Sequence, residues 1–137
     1  MAAALGAASV DVLAYVDPLV GEGDALYPFA ADYAALVGQV GALITQHRAD
    51  VVLTHGADGE YGPPAHRLMH RAVVDAVDNM DGTAPLLYTV CAQVPGIEDR
   101  ILNASDPAHL ALDVTPWLDF KEQAALCHVS QHALFKR

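Results

Sequence analysis

The 137-residue chain predicts an α/β fold, a mostly parallel sheet with flanking helices. Three observations carry this expectation. Apolar runs of strand length alternate with segments of helical periodicity. Capping residues and Gly/Pro breakers separate them. Apolar residues make up 53% of the chain against 18% charged, which supplies one modest core and is unlike the composition of a disordered tail.

The elements follow in order. "MAAALG" gives about one helical turn. "VDVLAYVD" (10–17) is apolar and valine-rich and reads as a strand. "PLVGEGDALYPFA" is loop, broken by Pro18, Gly21, Gly23 and Pro28. Asp32 caps a helix to about His47, with Leu36, Val40, Leu43, Ile44 and His47 at helical spacing. The turn Ala49-Asp50 leads into "VVLTH" (51–55), a short apolar run of the kind that suits a parallel strand buried on both faces. After the loop "GADGEYGP", a helix opens with Pro64 in its first turn. Leu68, Met69, Ala72, Val73, Ala76 and Val77 form its stripe, and Asn79 to Gly82 end it. "PLLYTVCAQ" (85–93) reads as a third strand, 96–113 as irregular, and 110–114 as a short edge strand. Thr115 and Pro116 open a last helix to about Val129.

A single helical turn cannot cover a sheet face, and three strands leave unprotected edges. The pattern therefore reads as one domain over residues 1–137 that is a piece of a larger one. The alternative is a small domain with a frayed N-terminus.

Charge and composition exclude some roles. Seven Lys and Arg against 17 Asp and Glu give a net charge of −10, which disfavours nucleic acid or an anionic membrane surface as main partner. No run is long and apolar enough to span a membrane, and "MAAALGAASV" lacks a basic region before reaching Asp11. Cys91 and Cys127 make neither a disulfide framework nor a C-x-x-C site, so reduced thiols in a cytoplasm are expected. The sequon Asn103-Ala104-Ser105 carries no meaning without export. No G-x-G-x-x-G follows a strand, and no Walker sequence is present.

The chemistry concentrates in residues 54–70, T-H-G-A-D-G-E-Y-G-P-P-A-H-R-L-M-H. In a parallel sheet, ligands lie beyond the carboxyl ends of the strands, here the loop that begins at His55. His66 and His70, four apart, project from one helix face and can share a metal such as zinc. Asp58, Glu60 or His55 can supply a third ligand. Against this stand solvated surface histidines, a strand-end His55 bonded locally and a half-buried packing Tyr61. Cys127 and His128, adjacent on a helix, diverge by about 100° and make a poor thiol–imidazole pair. Arg67 and Arg71 suit pairing with acids such as Asp75, and Asp17 suits a turn.

This segment closely resembles the PIG-L/LmbE-like zinc-dependent N-acetylglucosamine deacetylases, whose central strand is followed by T-H-x-x-x-G-E-Y-G-H-P-x-H-x-x-x-H. Thr54, His55, Gly59, Glu60, Tyr61, Gly62, Pro64, His66 and His70 match. "WLDFKEQAALCHVSQH" is similar to the family's K-x-x-A-L-x-x-H-x-[ST]-Q through Lys121, Ala125, Leu126, His128, Ser130 and Gln131. The resemblance implies an incomplete Rossmann-like sheet and zinc-assisted hydrolysis of an acetamide on a small amino-sugar substrate. It makes His66 a metal ligand and Tyr61 a catalytic residue that binds the developing oxyanion. His55, Asp58, His70 and His128 are candidate supporting residues, with packing the alternative for His70 and capping of the helix end the alternative for His128, Ser130 and Gln131.

Two departures qualify the activity. No A-H-P-D-D-E motif occurs, so two of the family's three zinc ligands and its general base are missing. Pro63 stands where the family has a general-acid His, and proline cannot donate a proton to an amine. Weak zinc binding and little hydrolysis are expected of this chain alone. The alternative is a non-catalytic degenerate domain that binds a sugar or a partner chain, including a second copy through an open sheet edge.

Overall fold

The computed structural model describes residues 2–15, 31–60, 62–90, 103, 106 and 108–129. It divides into two compact units, Tyr15–Ala108 and Met1–Ala14 with His109–Arg137.

The larger unit runs α1 (Tyr33–His47), β1 (Val51–Thr54), α2 (Pro64–Asp78) and β2 (Leu86–Thr89). Local chemistry sets both ends of α1. Asp32 is extended, and its carboxylate accepts from the Ala35 N–H at 3.1 Å, a cap worth about 1 kcal/mol. Arg48 turns left-handed at φ 49° and returns its N–H to the carbonyls of Ile44 and Thr45. The buried face of α1 is Leu36, Val40 and Ile44, spaced four apart. It packs on α2, whose buried face is Ala72, Val73, Ala76 and Val77. Small residues keep the helices close: a methyl at Gly41 would meet the Ala76 methyl at 4.0 Å. At the rim the Tyr33 hydroxyl donates to Asp75, and Arg71 lies 5.2 Å from the Tyr33 ring centre.

β1 and β2 pair in parallel, Val51 opposite Leu86 through Thr54 opposite Thr89. The Val90 N–H to the Thr54 carbonyl, 3.0 Å, carries the pairing one step further. Parallel strands joined through a helix make the chain α/β, consistent with part of a Rossmann-like sheet.

Several expected elements differ. Residues 10–15 are not a strand; Val10 and Val12 are 64% and 85% exposed. Valine content favours a strand only where a neighbour satisfies its backbone groups. The expected edge strand at 110–114 is likewise irregular. The described sheet therefore has two strands. Nor is β1 buried on both faces. Val52 and Thr54 are half-buried, whereas Val51 and Leu53, with Leu86 and Tyr88 of β2, are exposed. The part of the expected third strand beyond Val90, and Cys91 with it, lies outside the described residues.

In the smaller unit a 3-10 turn, Ala2–Leu5, packs against α3 (Leu118–Leu126). α3 is preceded by a second 3-10 turn, Thr115–Trp117. Thr115 is not the side-chain cap expected of it. Its N–H instead takes the Asp113 carboxylate at 3.0 Å, and α3 begins without a side-chain cap. Among the described residues no helix is long and apolar enough to cross a membrane.

Candidate metal centre

The chain leaves β1 at Thr54 and enters α2 at Pro64, so the loop that begins at His55 starts from the carboxyl tip of the strand. The turn is tight and left-handed. Gly59 has φ 64° and Glu60 φ 59°, and the Gly59 N–H closes on the Gly56 carbonyl at 2.9 Å. A methyl on Gly59 would lie 3.0 Å from the His66 Cβ and 3.1 Å from the Arg67 backbone nitrogen. Only glycine allows the loop so near the first turn of α2.

This close approach gathers three side chains. One ligand atom from each of His55, Glu60 and His66 lies within 4.8 Å of the others. Glu60 Oε2 is 2.6 Å from His55 Nδ1 and 2.8 Å from His66 Nδ1. The two imidazoles stack, with centres 3.9 Å apart and planes inclined by 19°. Glu60 Oε1 accepts from the Gly56 N–H at 3.1 Å and from the Asn103 amide at 3.4 Å. The Glu60 side chain is 13% exposed, against 38% for His55 and 27% for His66.

Burial pushes the Glu60 carboxyl up, but the hydrogen bonds from Gly56, His66 and His55 outweigh it and leave the group below the usual range. An ionised carboxylate only accepts, so both facing Nδ1 atoms carry protons. In the neutral rings the lone pair then sits on Nε2, the form that binds a metal. The His66–Glu60 pair thus has the arrangement of a metal-binding imidazole oriented by a carboxylate.

Imidazoles and a carboxylate fit zinc. The spacing also separates ligand from orienter. Two ligands of one tetrahedral zinc sit roughly 3.3 Å apart, whereas Glu60 lies 2.6 and 2.8 Å from the two rings. Those are hydrogen-bond separations, so the present geometry makes Glu60 the orienting partner.

The other sequence candidates separate. His70 does not converge with His66; its Nδ1 donates to the His55 carbonyl at 2.8 Å, which braces the strand end. The Asp58 carboxylate is outside the three-residue group, and its backbone N–H goes to the Asn103 side chain at 2.9 Å. Arg67 donates to the Asp58 carbonyl at 3.3 Å. Pro63 caps α2, its carbonyl accepting from the Arg67 N–H at 3.2 Å. His128 belongs to the smaller unit, half-buried just after α3, and Cys127 is exposed. Tyr61, Asp17, Ser130 and Gln131 lie outside the described residues. Sequence reading missed Asn103 as part of the site. It is fully buried, so as a sequon it offers no accessible amide.

No family model matches the chain, and no solved structure matches it significantly. It is similar to curated proteins named 1D-myo-inositol 2-acetamido-2-deoxy-α-D-glucopyranoside deacetylase. The one from Mycobacterium sp. (strain JLS) is 33% identical over 76 residues, 56% of this chain and 25% of the relative. That from Mycobacteroides abscessus is 30% identical over 108 residues, 74% of this chain and 38% of the relative. That from Corynebacterium jeikeium is 42% identical over 50 residues, 36% and 15%. The chain therefore spans well under half the length of these relatives. This similarity agrees with the resemblance of residues 54–70 to the PIG-L/LmbE-like deacetylases.

Proposed function

We propose that the chain is part of a zinc-dependent deacetylase domain that hydrolyses the acetamide of an N-acetylglucosamine-type sugar in the cytoplasm. The observation that carries this reading is His66, oriented by Glu60 beside His55 at the carboxyl tip of β1. Deacetylase relatives with an amino-sugar conjugate in their names support the reaction and substrate class.

His66 would hold the zinc through its unprotonated ring nitrogen, with His55 stacked beside it. When bound there, the metal would supply polarisation of the acetyl carbonyl and acidification of a water. Glu60 keeps the imidazole in the correct tautomer, and Tyr61 donates to the carbonyl oxygen as charge develops. The chain offers no group at position 63 to protonate the leaving amine, since Pro63 has no titratable atom. Turnover by residues 1–137 alone is therefore low.

Pro63 also favours a second reading, a domain that binds the sugar without cleaving it. Amine release from the N-acetylglucosaminyl inositol separates the two. The first reading expects slow, zinc-dependent release that His66→Ala abolishes and Pro63→His increases. Saturable sugar binding with no release from either form would favour the second.

A further inference from the structure

Asn103 lies outside both sequence motifs, yet it is the one fully buried polar side chain among the described residues. Its amide is heavily used. Oδ1 accepts from the Asp58 N–H at 2.9 Å and the Glu60 N–H at 3.3 Å. Nδ2 donates to the Val90 carbonyl at 2.5 Å and to Glu60 Oε1 at 3.4 Å. One side chain therefore ties the tip of β2 to the loop after β1 and touches both the backbone and the carboxylate of Glu60. Its own backbone is left-handed, φ 62°, a conformation asparagine tolerates better than most residues.

Gly56 provides the seat. A Cβ there would fall 2.0 Å from Asn103 Cγ and Nδ2, an overlap that nothing short of moving the amide relieves. With Oε1 held between Gly56 and Asn103, Oε2 is left facing the two imidazoles.

We infer that Asn103 is a positioning residue of the metal centre: it fixes the Glu60 carboxylate that holds His55 and His66 as Nδ1-protonated imidazoles. The consequence for metal rests on the reading of His66 as a zinc ligand. The consequence for the tautomers does not.

The discriminating variant is Asn103→Asp. It keeps the size of the side chain and the Oδ1 acceptor that braces the loop. It replaces the donor by an oxygen facing Glu60 Oε1 and the Val90 carbonyl. Long-range 15N–1H spectra of the histidine side chains at pH 8, without metal, read the tautomers directly. The wild-type chain is expected to show His55 and His66 protonated on Nδ1. Asn103→Asp is expected to show a mixture or the Nε2 form, and Gly56→Ala, which evicts the amide, to do the same. Chelator competition should show zinc affinity reduced roughly 10- to 100-fold in Asn103→Asp.

An Nε2-protonated His55 or His66 in the wild-type chain overturns the inference without any variant, as does a folded Asn103→Asp with wild-type tautomers. Zinc that fails to bind the wild-type chain overturns the metal reading instead, and the tautomers still decide the role of Asn103.

Discussion

Gly59→Ala tests whether the loop after β1 is built as described. The backbone at Gly59 has φ 64°, and a side chain in this left-handed region costs about 1–2 kcal/mol. The added methyl would also stand 3.0 Å from the His66 Cβ and 3.1 Å from the Arg67 nitrogen. Both atoms belong to the first turn of α2, so neither yields as a flexible side-chain end would. Overpacking of this kind costs about 1–3 kcal/mol. Together the penalties come to roughly 2–5 kcal/mol, a fall in melting temperature on the order of 10 °C. Gly38→Ala is the internal control. Gly38 lies within α1, has no left-handed φ, and its methyl would meet nothing within 4 Å. That change should stabilise by about 0.5–1 kcal/mol. Urea unfolding followed by far-UV circular dichroism measures both. A Gly59→Ala chain as stable as the parent would refute the left-handed turn and its packing against His66.

Glu60→Gln should weaken zinc binding about 10- to 100-fold. Gln keeps one acceptor oxygen, but its NH2 must face either the two imidazole protons or the donors of Gly56 and Asn103. Isothermal titration with zinc checks this; unchanged affinity would remove Glu60 from the site. The Tyr33–Asp75 contact gives a pH dependence of known sign. The Asp75 hydrogen bond raises the Tyr33 hydroxyl, burial and the Asp75 charge add to it, and Arg71 opposes it. The folded state thus favours the protonated phenol, so this stabilisation is present below about pH 10 and is lost as pH rises through the raised value. Tyr33 is only half-buried and solvent screens its charge, so the loss is small. Alkaline unfolding of Tyr33→Phe should lack this step; an identical alkaline profile would contradict it.

The elements most legible in the sequence are those set by local chemistry. Asp32 caps α1 where expected, and α1 ends at His47. Pro64 opens α2, and Asn79 follows its end. Both signals act within a turn or two of chain. Strands depend on partners far along the chain, and there composition misled. Residues 10–15 have the valines of a strand but no ladder, whereas 51–54 and 86–89 find each other. The site divides in the same way. His66 and His55 are visible from the motif, and Glu60 as an acid beside them. That Glu60 faces both imidazoles at hydrogen-bond distance rests on a left-handed backbone and two short contacts, which no spacing encodes. Asn103 reaches Glu60 across 43 residues, with no local signal beyond a sequon of other meaning.

The central claim is that a divalent cation binds at His66. Zinc titration of the 137-residue chain, compared between the wild type and His66→Ala and read together with X-ray absorption of the bound zinc, tests it most directly. One saturable, chelator-reversible site with imidazole nitrogen at about 2.0–2.1 Å, lost in His66→Ala, is the predicted result. Equal zinc binding by the two chains, or a bound zinc with no imidazole ligand, would contradict it.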